Sequence, residues 1–271
     1  MRPYYYLGKN RALTQLATGQ PFFVHTADRG ISPWIIMGGV WETFVDNVLC
    51  ALLRPRDTFL DIGANMGYYT VKAGTIVGPQ GRVFAFEPNP ELFPLLVDNI
   101  DINGFNGRVT SFALAAGAEA GSSLLRVSPT NMGGGWVSAP GTPGASAPDG
   151  LRIGIDRVDA LLPPGTLADV VKIDTEGFEP LVLRGMAETL ARSPACALVV
   201  EISLLQWRQY GDPFAILAPL AAGRRLFLIP HQGALVPQTV AELRATVSPD
   251  FVSYVALVPE GPRLEAIARF L

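Results

Sequence analysis

From residue 58 the hydrophobic pattern of the chain becomes regular. Short apolar runs cover 58–62, 83–87, 109–113, 169–174 and 197–202, and two more cover 225–229 and 252–258. Between them, apolar residues recur every three to four positions. This spacing predicts helices over 68–77, 90–103, 179–190 and 213–222, a short helix over 156–162 and a terminal one over 262–270. In the second of these, Leu92, Leu95, Leu96, Asn99 and Ile100 form one stripe, Pro90 suits a first turn and Gly104 a stop. Strands that alternate with helices predict an α/β fold, with a mostly parallel sheet covered by helices on both faces.

Two segments break this rhythm. Residues 1–56 read as an N-terminal extension that caps a core of 57–271. In it we expect a strand at 21–25, a turn at 26–30, a second strand at 35–37, and a helix over 42–53 striped by Phe44, Val45, Val48, Leu49 and Leu52. The second break, 117–156, is an inserted β-hairpin with strands at 123–127 and 151–155. Its tip, 129–150, is rich in Gly, Pro, Ser and Ala. A tip this long is either loose chain or a lid. As a lid it would bring Asn131 and Trp136 to a substrate. No internal repeat is present.

Composition narrows the function classes. The 271 residues are 49% hydrophobic and 17% charged, a globular balance with enough chain for a sizeable core. The net charge of −3 comes without a Lys/Arg cluster, so no nucleic-acid or membrane partner is expected. No apolar run approaches the ~18 residues of a spanning helix, and no charged-then-apolar leader opens the chain. Cys50 and Cys196 sit in apolar runs and read as buried thiols of a reducing compartment, neither a disulfide framework nor a zinc site. The expected protein is cytoplasmic and acts on a small molecule; apolar surface on the extension would suit a homodimer.

The candidate chemistry begins at Asp61-Ile-Gly63-Ala-Asn65-Met-Gly67. A buried strand that passes through a glycine turn into a helix lets backbone approach a ligand and points free N–H groups at it. Glu87, twenty positions beyond Gly67, ends the next apolar run, where a carboxylate can take a ribose hydroxyl pair. The ligand is a dinucleotide or S-adenosylmethionine. Asn65 stands in place of the second fingerprint glycine, which makes room for a pyrophosphate, and the third glycine is displaced. This spacing favours S-adenosylmethionine over NAD, with Asp61 placed for its ammonium group.

A second motif is Lys172-Ile-Asp174-Thr-Glu176-Gly177. Its strand is the fourth of the repeating core and should lie beside the first, at the switch point where ligands bind. Asp174 and Glu176 can abstract a proton, hold a cation or ligate a metal; an acidic first helical turn is the plainer alternative for Glu176. Glu201 is acidic within an apolar strand and lines the acceptor pocket or makes an edge salt bridge. His231, past the 225–229 strand, is a reserve general base or an ordinary loop histidine. The two histidines, His25 and His231, lack metal-ligand spacing, so no metal site is assigned.

Together these residues resemble the FkbM-family methyltransferases, a branch of the class I S-adenosylmethionine-dependent enzymes. The resemblance rests on Gly39-Val-Trp-Glu42, Phe59-Leu-Asp-Ile-Gly-Ala-Asn-Met-Gly67, Val83-Phe-Ala-Phe-Glu-Pro88 and Val171-Lys-Ile-Asp-Thr-Glu-Gly-Phe-Glu179, with a weaker match at 197–201. It spans roughly 38–202. It implies a Rossmann-like, seven-stranded sheet whose final strand is reversed, and methyl transfer to a hydroxyl of a sugar or secondary metabolite. It also implies that Asp61, Gly63, Asn65 and Gly67 surround the cofactor, that Glu87 holds the ribose, and that Trp41-Glu42 folds back beside it. Asp174 or Glu176 then orients or deprotonates the acceptor. The alternatives are an NAD-dependent oxidoreductase, against which the glycine spacing argues, and a cofactor-binding protein without catalysis.

Overall fold

The computed structural model describes residues 2–127, 131–137 and 150–271. Its main sheet has eight strands in the order Val236–Gln238, Arg224–Ile229, Val252–Pro259, Ala197–Ser203, Val170–Ile173, Thr58–Ile62, Arg82–Phe86, Val109–Phe112. The five strands from Ala197–Ser203 to Val109–Phe112 are parallel. The late strand Val252–Pro259 runs against both its neighbours, as the resemblance implies. The eighth strand, beyond the seven expected, is the three-residue edge piece Val236–Gln238. It is too short and too exposed to leave a hydrophobic signal.

The central strands read as continuous apolar runs because both faces are covered. Side chains alternate between the two faces, and two separate cores result. Phe59, Val83, Val170 and Val199 belong to one; Leu60, Ile62, Phe84, Val171, Ile173 and Val200 belong to the other. The first core also takes in Ala12, Leu16, Phe22, Ile35 and Val48, so the N-terminal segment covers that face. Asp61 and Lys172 follow Phe59 and Val170 by two positions and point to the same side. They are direct cross-strand partners in the parallel register.

Several local expectations need correction. The N-terminal segment opens with a three-stranded antiparallel sheet, Tyr5–Gly8, Arg11–Gln15 and Pro21–His25, of which only the last is legible in the sequence. The expected strand at 35–37 is a helix, Ser32–Gly38, with a proline in its first turn and Gly39 at φ 68 closing it. The helix expected from Pro90 starts at Phe93, because Asn89 accepts from the Glu91 N–H at 2.9 Å in a preceding turn. The helix expected over 179–190 breaks at Met186 into Glu179–Gly185 and Ala187–Arg192. The inserted hairpin is present: Gly121–Arg126 pairs antiparallel with Leu151–Asp156, with Trp136–Val137 along its outer edge. The helix Val240–Thr246 was not expected, although Thr239 and Glu242 carry its capping-box signature.

The C-terminal helix Pro262–Ile267 is bolted to the opposite end of the sheet. Arg263 donates to the Leu52 carbonyl, to both oxygens of Asp57 at 2.7 and 2.9 Å, and to Asp169 at 3.2 Å. The other Asp169 oxygen accepts from the Thr58 N–H at 2.9 Å, so the clamp holds the starts of the two central strands together. The Asp57 side chain is only 8% exposed. Removing the guanidinium leaves a buried carboxylate uncompensated, and we expect Arg263→Ala to lose about 3–5 kcal/mol in urea unfolding. A loss below about 1 kcal/mol would show that the clamp is an ordinary surface pair.

Candidate active site

The site grows from the Asp61–Lys172 row at the strand C-termini. Lys172 Nζ donates to the Gly63 carbonyl at 2.9 Å, pairs with Asp174 Oδ2 at 3.0 Å and lies 3.9 Å from Asp61 Oδ1. Its side chain is 2% exposed. Burial opposes its charge, but Asp174, Asp61 and Glu42 outweigh burial and push its pKa above the ordinary value. The glycine at 63 is required twice: φ is 82, and a Cβ there would lie 1.8 Å from the Asp174 carbonyl oxygen. The turn after the first strand therefore packs directly on the turn after the fourth.

Two residues further along, on the same face, the site continues into the reversed strand. The Tyr254 hydroxyl donates to Asp174 Oδ2 at 2.9 Å, and Tyr254 stands opposite Glu201 in the antiparallel register. Glu42 reaches the same place from the N-terminal segment and accepts from the Tyr69 hydroxyl at 3.1 Å. Glu42 and Glu176 both hold left-handed backbone, φ 41 and 54, a conformation uncommon outside glycine and worth a functional reading.

These residues line one cavity across the strand C-termini. It runs from Phe86, Glu87 and Asn89 past Gly63 and Asn65 to Lys172, Asp174, Glu176, Glu201 and Tyr254, with Trp41 and Glu42 on the N-terminal side. Part of its wall is the inserted loop, 131–135, together with Gly30 and Ile31. Asp28 joins those two pieces: its carboxylate accepts from Gly30, Ile31, Ser32 and Met132 at 3.2, 2.9, 2.7 and 3.2 Å.

At the Glu87 end the residues fit the adenosine of S-adenosylmethionine. Glu87 accepts one backbone N–H on each oxygen, from Asn65 and from Asn89, both at 2.7 Å. Each oxygen keeps a lone pair, which suits two adjacent ribose hydroxyls. Burial raises its pKa to about 7 against those two N–H groups. Ala115 and Ala116 add apolar wall and backbone groups to the cavity. Asn65, at φ 54, spends its Oδ1 on the Met66 N–H at 2.7 Å.

The Asp174 end is rich in carboxyl groups. Burial, and then Asp174, raises Glu42 to about 7. Burial, Asp174 and Glu179 raise Glu176 to about 8, and burial with the same neighbours raises Glu201 to about 10. Glu179 is different. Its oxygens accept from Thr175, Gly177 and the Trp207 indole, so it holds the turn from inside. Among the described residues, no group of three or more His, Cys, Asp and Glu side chains is arranged to hold a metal ion.

The structure thus gathers Glu42, Gly63, Asn65, Glu87, Asp174, Glu176 and Glu201 around the cavity. Asp61 and Gly67 lie one layer behind it. Asp61 is fully buried, accepts from Thr70 Oγ1 at 2.5 Å, and leaves Oδ1 without a hydrogen bond beneath the turn. Gly67, at φ 90, opens the helix Tyr68–Val77. Two expectations fall outside the cavity. His231 is on an exposed loop, and Trp136, at 47% exposure, points away while its neighbours Gly135 and Val137 line the wall. Most of the expected tip, 129–150, lies outside the described residues, but Asn131 lines the cavity. The sequence reading missed Tyr254, Tyr69 and Asp28. Tyr68 and Lys72 also stand at the i, i+4 spacing of a dehydrogenase Tyr–Lys pair; Lys72 Nζ lies 3.5 Å from the Tyr68 hydroxyl but holds Asp46 more closely, at 2.5 Å.

With this geometry in place, residues 61–228 match the methyltransferase FkbM domain. The chain is 32% identical over 159 residues to the hexuronic acid methyltransferase AglP of Haloferax volcanii; the match covers 58% of this chain and 61% of that protein, so the chain spans less than two thirds of that relative. Over 56 residues it is 38% identical to the protein-L-isoaspartate O-methyltransferase of Aeropyrum pernix, covering 21% of this chain and 22% of that one. Among solved structures, a methyltransferase FkbM from Methylobacillus flagellatus aligns with a TM-score of 0.45 at 17% identity, over 74% of this chain and 43% of that one.

The buried carboxyls make stability depend on pH. The folded-state pKa of Glu201 is raised from 4.5 to about 10, so its neutral form carries the stability. That contribution is complete below about pH 4.5 and is lost as pH rises toward 10. Glu201→Gln fixes a neutral side chain. Its melting temperature should exceed that of wild type by a margin that is smallest near pH 4.5 and widens toward pH 9. A margin independent of pH would contradict the raised pKa.

Proposed function

The chain belongs to the FkbM methyltransferase family, and on that premise we propose that it methylates a hydroxyl oxygen of a sugar, with Glu176 as the general base. The cofactor is S-adenosylmethionine. Bound, it supplies an electrophilic methyl group on a sulfonium. Gly63, Asn65 and Glu87 hold its adenosine side, and the Asp174 end receives the acceptor.

One observation carries this reading: Lys172 bridges the Gly63 carbonyl and Asp174, so the cofactor turn and the acidic end share one cavity. A hydroxyl is a weak nucleophile near neutral pH, so a base that takes its proton matters. Asp174 is already engaged by the Lys172 ammonium at 3.0 Å and the Tyr254 hydroxyl at 2.9 Å, a geometry that suits orientation of the acceptor. Glu176 is raised to about 8, close to the working range of a base. Asp174 then orients, and Glu176 accepts the proton that the hydroxyl releases. Glu201, raised further, is neutral near pH 7 and can donate to a sugar oxygen. The name of the Aeropyrum relative supports transfer to oxygen, and that of the Haloferax relative supports a sugar acceptor.

A base must be deprotonated to act, so kcat/KM should rise with pH and level off above about 8. Glu176→Gln should lower kcat by about 10²–10⁴-fold while leaving the Kd of S-adenosylhomocysteine within about threefold. Transfer of labelled methyl groups, followed with calorimetric titration, measures both. A Glu176→Gln enzyme with wild-type turnover would remove Glu176 from the mechanism.

A further inference from the structure

The acceptor end of the cavity holds more carboxyl groups than cationic side chains. Four carboxyl groups line it: Glu42, Asp174, Glu176 and Glu201. Among the described residues the only Lys, Arg or His in the cavity wall is Lys172. The residues outside those described, 1, 128–130 and 138–149, contain no Lys, Arg or His in sequence, so they cannot add a cationic side chain.

Lys172 is not free to meet a ligand. Its ammonium is taken by the Gly63 carbonyl at 2.9 Å and Asp174 at 3.0 Å, with Asp61 at 3.9 Å behind it, and the side chain is 2% exposed. The Tyr254 hydroxyl is likewise spent on Asp174 at 2.9 Å. A carboxylate or phosphate on the acceptor would enter without a free cationic partner, beside the Asp174 carboxylate, and its charge would further oppose ionisation of Glu176 and Glu201. The single positive charge of a sulfonium is fewer than the carboxyl groups present. An ammonium group meets the opposite situation. It gains partners in Glu176 and Glu201, whose ionisation burial and mutual repulsion otherwise oppose.

We propose that this end of the cavity selects sugars that carry an amino group beside the reacting hydroxyl and rejects uronic acids and sugar phosphates. The proposal rests on the sugar-hydroxyl reading above and adds the charge class of the acceptor. Glu201 and Glu176 are the specificity-determining residues.

The test uses the full chain saturated with S-adenosylhomocysteine at pH 7 and compares three probes by calorimetric titration: methyl glucosaminide, methyl glucoside and methyl glucuronide. The glucosaminide should bind at least about tenfold more tightly than the glucuronide, with the glucoside between them. Glu201→Gln should narrow that gap, and the milder Glu201→Asp should keep it. Glucuronide binding as tight as that of the glucosaminide, or no binding by any of the three, overturns the proposal. Failure of S-adenosylhomocysteine itself to bind is a separate result, and it would overturn the methyltransferase reading on which the proposal stands.

Discussion

Lys172 is a full positive charge in the wall of a sheet, and the neighbouring structure is arranged around neutralising it. An unpaired ammonium at that depth is prohibitively unfavourable. Asp174 and Asp61 supply the opposite charge, and the Gly63 carbonyl takes a further donor. The Tyr69 ring, 5.3 Å from the ammonium, closes a further side. The geometry of the cofactor turn follows. With the Gly63 carbonyl held by Lys172 and its α-carbon packed on the Asp174 carbonyl, the turn has little freedom to move. Its N–H groups bond back to Phe86, at 3.0 Å for Gly63 and 2.9 Å for Ala64. The first, second and fourth strands of the core are thus fixed relative to one another at the cavity wall.

The core supplies only the floor of the site. The N-terminal segment adds Trp41 and Glu42, and the inserted loop adds residues 131–135. The two meet at the Asp28 carboxylate, which is buried and fully used by backbone N–H groups. Asn99 does similar work below: it joins Phe23 in the N-terminal sheet to the Met66 carbonyl of the cofactor turn. These additions make an enclosed cavity of an open sheet edge, and enclosure strengthens every electrostatic interaction within it.

What was legible in the sequence follows the range of the interactions. The parallel core was readable because each strand is apolar along its whole length and each turn carries its own glycines. Gly63, Asn65, Glu87, Asp174 and Glu176 were readable for the same reason: each stands at a fixed offset from a strand end. Tyr254 was not. Its role depends on the antiparallel register that sets Glu201 opposite it, a pairing between residues far apart in the chain. Asp28 was hidden because its acceptors serve a loop more than a hundred residues away. His231 and Trp136 were placed by proximity to a strand end or an inserted tip, but neither signal fixes the direction in which a side chain points. Ser32–Gly38 was misread because Ile35-Ile36-Met37 is equally apolar as strand or helix, and Pro33 and Gly39 decide between them.

The central claim is that Lys172 couples the cofactor turn to the acidic end of the cavity. Its most direct test is the affinity of folded Lys172→Met for S-adenosylhomocysteine, measured calorimetrically beside wild type. If the ammonium fixes the Gly63 turn, the variant should bind at least about tenfold more weakly, although the Lys172 side chain is only 2% exposed. Wild-type affinity in the variant would show that the turn holds its shape without Lys172 and would contradict the account.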